Sequence, residues 1–89
     1  MTWKINWSDE ARKQLRKLDK QLQNDIIEYL GKQIANANHP HDFGKSLRHD
    51  KHGLWRYRVR DARIICNVYE NELSVLVVRV GHRKNIYNF

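Results

Sequence analysis

Residues 54–80 read LWRYRVRDARIICNVYENELSVLVVRV. This stretch decides the fold, because it holds three runs rich in β-branched and aromatic residues separated by short polar breaks. The first, LWRYRVR (54–60), alternates Leu54, Arg56, Arg58 and Arg60 against Trp55, Tyr57 and Val59, the period-two signature of a strand with unlike faces. Asp61-Ala62 makes a short connection to RIICNVY (63–69), and Glu70-Asn71-Glu72 turns the chain into LSVLVVRV (73–80). Successive strands joined by two or three residues pair antiparallel, so the C-terminal half is expected to be a meander.

Upstream, TWKINW (2–7) alternates Trp3, Ile5 and Trp7 against Thr2, Lys4 and Asn6, a further half-buried strand. Ser8 is placed to cap a helix whose first turn carries Asp9 and Glu10. Ala11, Leu15, Leu18 and Leu22 recur on one helical face; Leu22, Ile26, Leu30 and Ile34 form a second, with Ile27 beside it. A single helix of that length would outreach so small a domain, so the charged pair Asp19-Lys20 is read as the turn of a helix hairpin. Residues 36–53 hold the only proline (Pro40), Gly44, Gly53 and four of the five histidines, and read as a loop. The expected order is β-α-α-β-β-β: an α+β fold with a helix hairpin on a small, mainly antiparallel four-stranded sheet.

The chain has 89 residues, room for one domain spanning 1–89. Lys and Arg number 17 against 10 acidic residues, a net charge of +7, which favours a polyanionic partner. A hydrophobic share of 40% is enough for a core and argues against disorder. One cysteine excludes an internal disulfide or a cysteine-rich metal site and suits a reducing compartment. With no apolar run of membrane-spanning length and charge throughout the first 20 residues, neither a membrane span nor a signal peptide is expected. The expectation is a soluble cytoplasmic domain.

Much of the charge falls in a pattern. Arg56, Arg58 and Arg60 project from one strand face, Arg63 opens the next strand, and Arg79 and Arg83 close the last. Like charges at such spacing repel and are costly unless an anion neutralises them. Arginine grips phosphate bidentately and stacks on bases. In the closing GHRKNIY (81–87), Arg83 and Tyr87 lie four apart, and His82 adjoins Arg83 with a side chain suited to proton transfer near neutrality. His39, His41, His49 and His52 lie in a polar segment and read as solvated, so no metal or other cofactor is expected. Cys66, inside an apolar run, reads as core. No P-loop, GxGxxG, GxSxG or HExxH motif occurs.

The runs LWRYRVRDARIICNV, VVRVGHRKNIY and KSLRHDKHG, with the early SDEARKQLRKLDKQLQNDI, resemble the RelE/ParE superfamily of type II toxins, most closely its RelE branch. The resemblance implies a helix hairpin on an antiparallel sheet. It also implies a ribosome-dependent endoribonuclease that cuts mRNA in the A site by attack of a ribose 2′-hydroxyl on the adjacent phosphate. On that basis Arg56, Arg58, Arg63, His82, Arg83 and Tyr87 are the expected catalytic residues, with Tyr87 stacking on the bases. Arg60, Arg79 and Lys84 are expected to contact RNA. RelE-type chains carry lysines where Arg56 and Arg58 stand here. Arginine does not give up its proton in proteins, so these two suit charge stabilisation rather than base catalysis; that leaves two options for the base, His82 or weak base assistance on RNA that the ribosome itself organises. The expected partners are the ribosome, mRNA and a cognate antitoxin, with operator DNA touched only through the antitoxin and no membrane. Two other readings stand beside this one: a ParE-like poison of DNA gyrase without catalysis, and a nonenzymatic nucleic-acid-binding domain.

Overall fold

Two polar side chains set the helix boundaries in the computed structural model, which describes residues 2–47 and 53–82. Ser8 Oγ accepts from the Ala11 N–H at 3.1 Å and starts α1, Asp9–Arg16. Asp19 Oδ1 accepts from the Leu22 N–H at 3.0 Å and starts α2, Lys20–Glu28. The extended backbone of Asp19, with φ −64° and ψ 157°, breaks the helix between them. Gln23 Nε2 donates to the Leu18 carbonyl at 2.7 Å and satisfies a group freed where α1 ends. The hairpin expected around Asp19-Lys20 is therefore present. α2 runs on into a wider π turn, Tyr29–Ile34, in which the Ala35 N–H donates to the Leu30 carbonyl at 2.9 Å. The Ala35 carbonyl accepts from the Trp3 N–H at 2.7 Å, tying the end of this helix to the start of the sheet.

The strands are β1 (Lys4–Trp7), β2 (Lys45–Ser46), β3 (Trp55–Val59), β4 (Ala62–Tyr69) and β5 (Ser74–His82). They form one sheet in the order β1-β5-β4-β3-β2, with β1 parallel to β5 and every other pair antiparallel. The fold is α+β as expected, with five strands rather than four. The additional strand lies in the segment read as loop, which also contains a short 3₁₀ turn, Pro40–Asp42. Two residues are too few to leave an alternation pattern, so β2 is set by its anchors instead. Tyr57 Oη donates to the Pro40 carbonyl at 2.7 Å, and Trp55 Nε1 donates to the Phe43 carbonyl at 2.6 Å. Gly44, at φ 71°, then brings the chain against β3, where an added Cβ would collide with the Arg56 carbonyl oxygen.

The helices cover one face of the sheet. Ala11, Leu15, Leu22, Ile26, Leu30 and Ile34 meet Tyr57, Ile64, Cys66, Val75, Val77 and Val80 in a single core. Burying each large aliphatic chain contributes roughly 1.5–3 kcal/mol. Ile27, expected beside the apolar stripe, is instead 50% exposed. Cys66 is core, as expected, and burial pushes its thiol above its ordinary value of 9.0. Burial likewise raises Tyr57, with Cys66 and then Tyr29 adding to the effect. Both groups stay protonated in the folded chain and ionise first in the unfolded one. Stability they confer is therefore complete below about pH 9 and declines as pH rises further. Urea midpoints measured between pH 7 and 10.5 should be level and then fall; a rise above pH 9 would contradict the buried placement of both groups. Gly44→Ala should cost about 2 kcal/mol or more, from its left-handed backbone and the collision with β3. An unchanged urea midpoint would show that the segment is not held against the sheet.

Candidate functional site

The sheet face turned away from the helices carries positive charge in two rows. Register pairs Lys45 with Arg56, Arg56 with Ile65 and Ile65 with Arg79, one row crossing four strands. The neighbouring row pairs Arg58 with Arg63 and Arg63 with Gly81. Paired strands lie about 4.8 Å apart, so side chains in a row are immediate neighbours. Arg79 reaches this face because of a bulge. Val75 and Val77 point into the core, and strict alternation would send Arg79 after them. Instead Cys66 pairs with Val77 and Ile65 with Arg79, so Val78 is the extra residue. The shift turns Arg79 outward and returns Val80 to the core.

Lys45, Arg56, Arg58 and Arg63, with Gly44, line one cavity of ≈ 290 Å³. None of these described lining residues is acidic. Arg63 is the unusual member, because only 7% of it is exposed. Its Nη1 donates to the Arg60 and Ala62 carbonyls at 3.3 and 3.2 Å. Arg58 Nε donates to the same Arg60 carbonyl at 3.3 Å. One backbone oxygen thus holds two guanidinium groups. It is aimed by Arg60's φ of 53°, a left-handed conformation rare for a non-glycine residue. The side chain of Arg60 leaves the cationic face altogether and pairs with Asp25 of α2, Nη1 to Oδ2 at 3.3 Å. The expectation that Arg60 joins Arg56 and Arg58 is corrected here: β3 ends at Val59, and the turn reverses the alternation.

His82 is displaced from the expected site as well. It pairs in register with Ala62, whose side chain is in the core, and lines a depression at the edge of β5 together with Gln14, Lys17, Leu18, Val80 and Gly81. Arg79 borders the same depression and does not line the cationic cavity. Arg83, Lys84 and Tyr87 lie outside the described residues, as do His49 and His52. The structure therefore brings together Arg56, Arg58 and Arg63 of the expected set and adds Lys45. Sequence reasoning misses Lys45 because its segment reads as loop; the Gly44-Lys45 step after the only proline is the one local sign of an ordered turn.

His39 and His41 are not freely solvated as expected. His39 Nε2 meets Glu70 Oε1 at 2.8 Å, and its Nδ1 accepts from the His41 N–H at 3.0 Å. The His41 ring stacks on Trp55 with centroids 3.9 Å apart, and burial, followed by the neighbouring His39, lowers its proton affinity. Ligand atoms of His39, His41 and Glu70 lie within 4.8 Å of one another, a spacing that a metal ion needs. Coordination through His39 Nε2, however, would put the ring proton on Nδ1, where the His41 N–H already donates. The cluster is a latch that fixes the start of the segment ending in Lys45.

Arg58 and Arg63 stand directly opposite each other as like charges, an arrangement that costs stability in the free protein. Arg58→Gln should raise the unfolding free energy by about 0.2–1 kcal/mol at low salt, with a smaller gain at 1 M salt. A loss of stability at low salt would show that the crowding is already compensated.

A family model described as the ParE toxin of type II toxin–antitoxin systems matches residues 5–87. The toxin RelG of Mycobacterium tuberculosis is 25% identical over 87 residues, covering 98% of each chain. Among solved structures, the toxin–antitoxin complex RelBE2 of Mycobacterium tuberculosis contains a chain similar to this one with a TM-score of 0.83. That pair is 23% identical and covers 93% of both chains. The isolated Escherichia coli RelE toxin gives a TM-score of 0.70 at 20% identity, covering 90% of this chain and 83% of the other.

Proposed function

Because this chain belongs to the ParE toxin family, within the RelE/ParE superfamily of type II toxin–antitoxin toxins, we propose that it is a ribosome-dependent endoribonuclease that cuts mRNA in the A site. The observation that carries this reading is the cavity lined by Lys45, Arg56, Arg58 and Arg63 with no acidic group among them. Attack of the 2′-oxygen on the adjacent phosphorus places added negative charge on the phosphoryl oxygens. Guanidinium groups fixed before the substrate arrives stabilise that charge without reorganising, and preorganised charge of this kind commonly contributes more to catalysis than any other single effect. Arg63 fits this role best, since it is buried and held by two backbone carbonyls. Arg56 and Arg58 flank it from β3 and grip the phosphate backbone on either side. Arg83 and Tyr87 keep the roles the resemblance implies, a second charge on the transition state and a stacking platform. Lys84 and Arg79 keep the RNA-contacting roles expected of them. His82, which does not line the cationic cavity, is not proposed as the base.

A cognate antitoxin is the expected protein partner, and operator DNA is reached only through it. RelBE2 of Mycobacterium tuberculosis and RelBE of Escherichia coli are such complexes. No described helix is long and apolar enough to cross a membrane, and a ribosomal substrate places the toxin's action in the cytoplasm. The ParE description of the matching family favours one other reading, a gyrase poison. A poison that acts through protein contacts has no chemical need for a buried, backbone-pinned arginine in a cationic cavity.

Primer extension on mRNA in a purified translation system separates the two. The ribonuclease reading expects codon-phased cuts that vanish without ribosomes, a rate roughly 10²-fold lower or more for Arg63→Ala, and His82→Ala within a few-fold of wild type. Intact mRNA together with inhibited supercoiling would identify a gyrase poison instead.

A further inference from the structure

Cleavage by 2′-hydroxyl attack has to protonate the departing 5′-oxygen, and none of the arginines in the cavity is suited to give up a proton. Among the described residues lining that cavity, Gly44, Lys45, Arg56, Arg58 and Arg63, only Lys45 has a side chain that releases and regains a proton in ordinary protein chemistry. We propose that Lys45 is the general acid, donating a proton from its ammonium group to the 5′-oxygen as the P–O5′ bond breaks. This rests on the ribonuclease reading above and deepens it.

Three features place Lys45 for this task. It pairs in register with Arg56, so it stands beside the row that meets the phosphate. It is exposed, leaving the ammonium group open to substrate and to solvent that restores its proton afterwards. The backbone beneath it is held, although β2 has only two residues: Tyr57 and Trp55 donate to the Pro40 and Phe43 carbonyls, and Gly44 presses against β3. In the balanced step the 2′-oxygen bonds to phosphorus, its proton passes to water, and the P–O5′ electron pair leaves with the oxygen and takes the lysine proton. The products are a 2′,3′-cyclic phosphate and a 5′-hydroxyl, and water returns a proton to the amine.

The test uses ribosomes programmed with mRNA carrying, at the cleaved linkage, either ordinary oxygen or a 5′-bridging sulfur. Sulfur leaves without being protonated, so it removes the need for an acid. Lys45→Ala should slow cleavage of the oxygen substrate by about 10²-fold or more, and cut the sulfur substrate within a few-fold of wild type. Lys45→Arg keeps the charge without a transferable proton, and should show the same defect and the same rescue. Equal losses on both substrates would reduce Lys45 to a binding charge and overturn the proposal, as would full activity of either variant on the oxygen substrate. Wild-type protein that cuts neither substrate would instead remove the ribonuclease reading itself, and this role with it.

Discussion

One carbonyl oxygen, that of Arg60, accepts from both Arg58 and Arg63, and the cationic site depends on it. Two guanidinium groups opposite each other on adjacent strands repel, and neither has an acidic neighbour lining the cavity. A shared backbone acceptor lets both remain in place. Its direction comes from a left-handed residue that is not glycine, a conformation costing roughly 1–2 kcal/mol. The side chain of that residue pairs with Asp25 on α2, which fastens the turn to the helix layer. Strain in the turn and repulsion on the strand thus sit together, as they do where stability is given up for chemistry.

The rest of the fold delivers residues to this point. The bulge on β5 keeps Val75, Val77 and Val80 in one core while turning Arg79 outward. The histidine latch, the two aromatic hydrogen bonds and Gly44 bring a lysine to the edge of β3 from a segment with almost no regular structure. Positive charge on this protein is an arranged property. Four cationic residues share one cavity, while Arg60 is engaged in an ion pair and His82 lines a separate depression.

Period and capping made most of the architecture legible in the sequence. Ser8, Asp19 and the apolar spacing mark the helix hairpin, and alternation marks the three strands of the C-terminal meander and the arginines of β3. The features that were not legible are those that interrupt a period. Alternation carried one residue too far puts Arg60 on the wrong face, because a positive φ in Arg60 leaves no trace in a run such as RVRDAR. The bulge at Val78 is similarly silent, since VLVVRV fits an unbroken strand as well as a shifted one. The expectation for His82 rests on its being next to Arg83 in the chain, whereas its face is set by the register with Ala62. Lys45 is hidden because its strand is held by hydrogen bonds from Trp55 and Tyr57, residues distant in sequence whose role there is polar as well as apolar.

If the cationic face drives 2′-hydroxyl attack on a phosphate, the cut ends of the RNA must carry its chemical signature. The most direct measurement is the chemistry of the ends left in ribosome-bound mRNA, read by end-specific ligation and mass spectrometry. A 2′,3′-cyclic phosphate facing a 5′-hydroxyl is the predicted pair. A 3′-hydroxyl facing a 5′-phosphate would mean that water had attacked instead, and would contradict a catalytic role for the face as described.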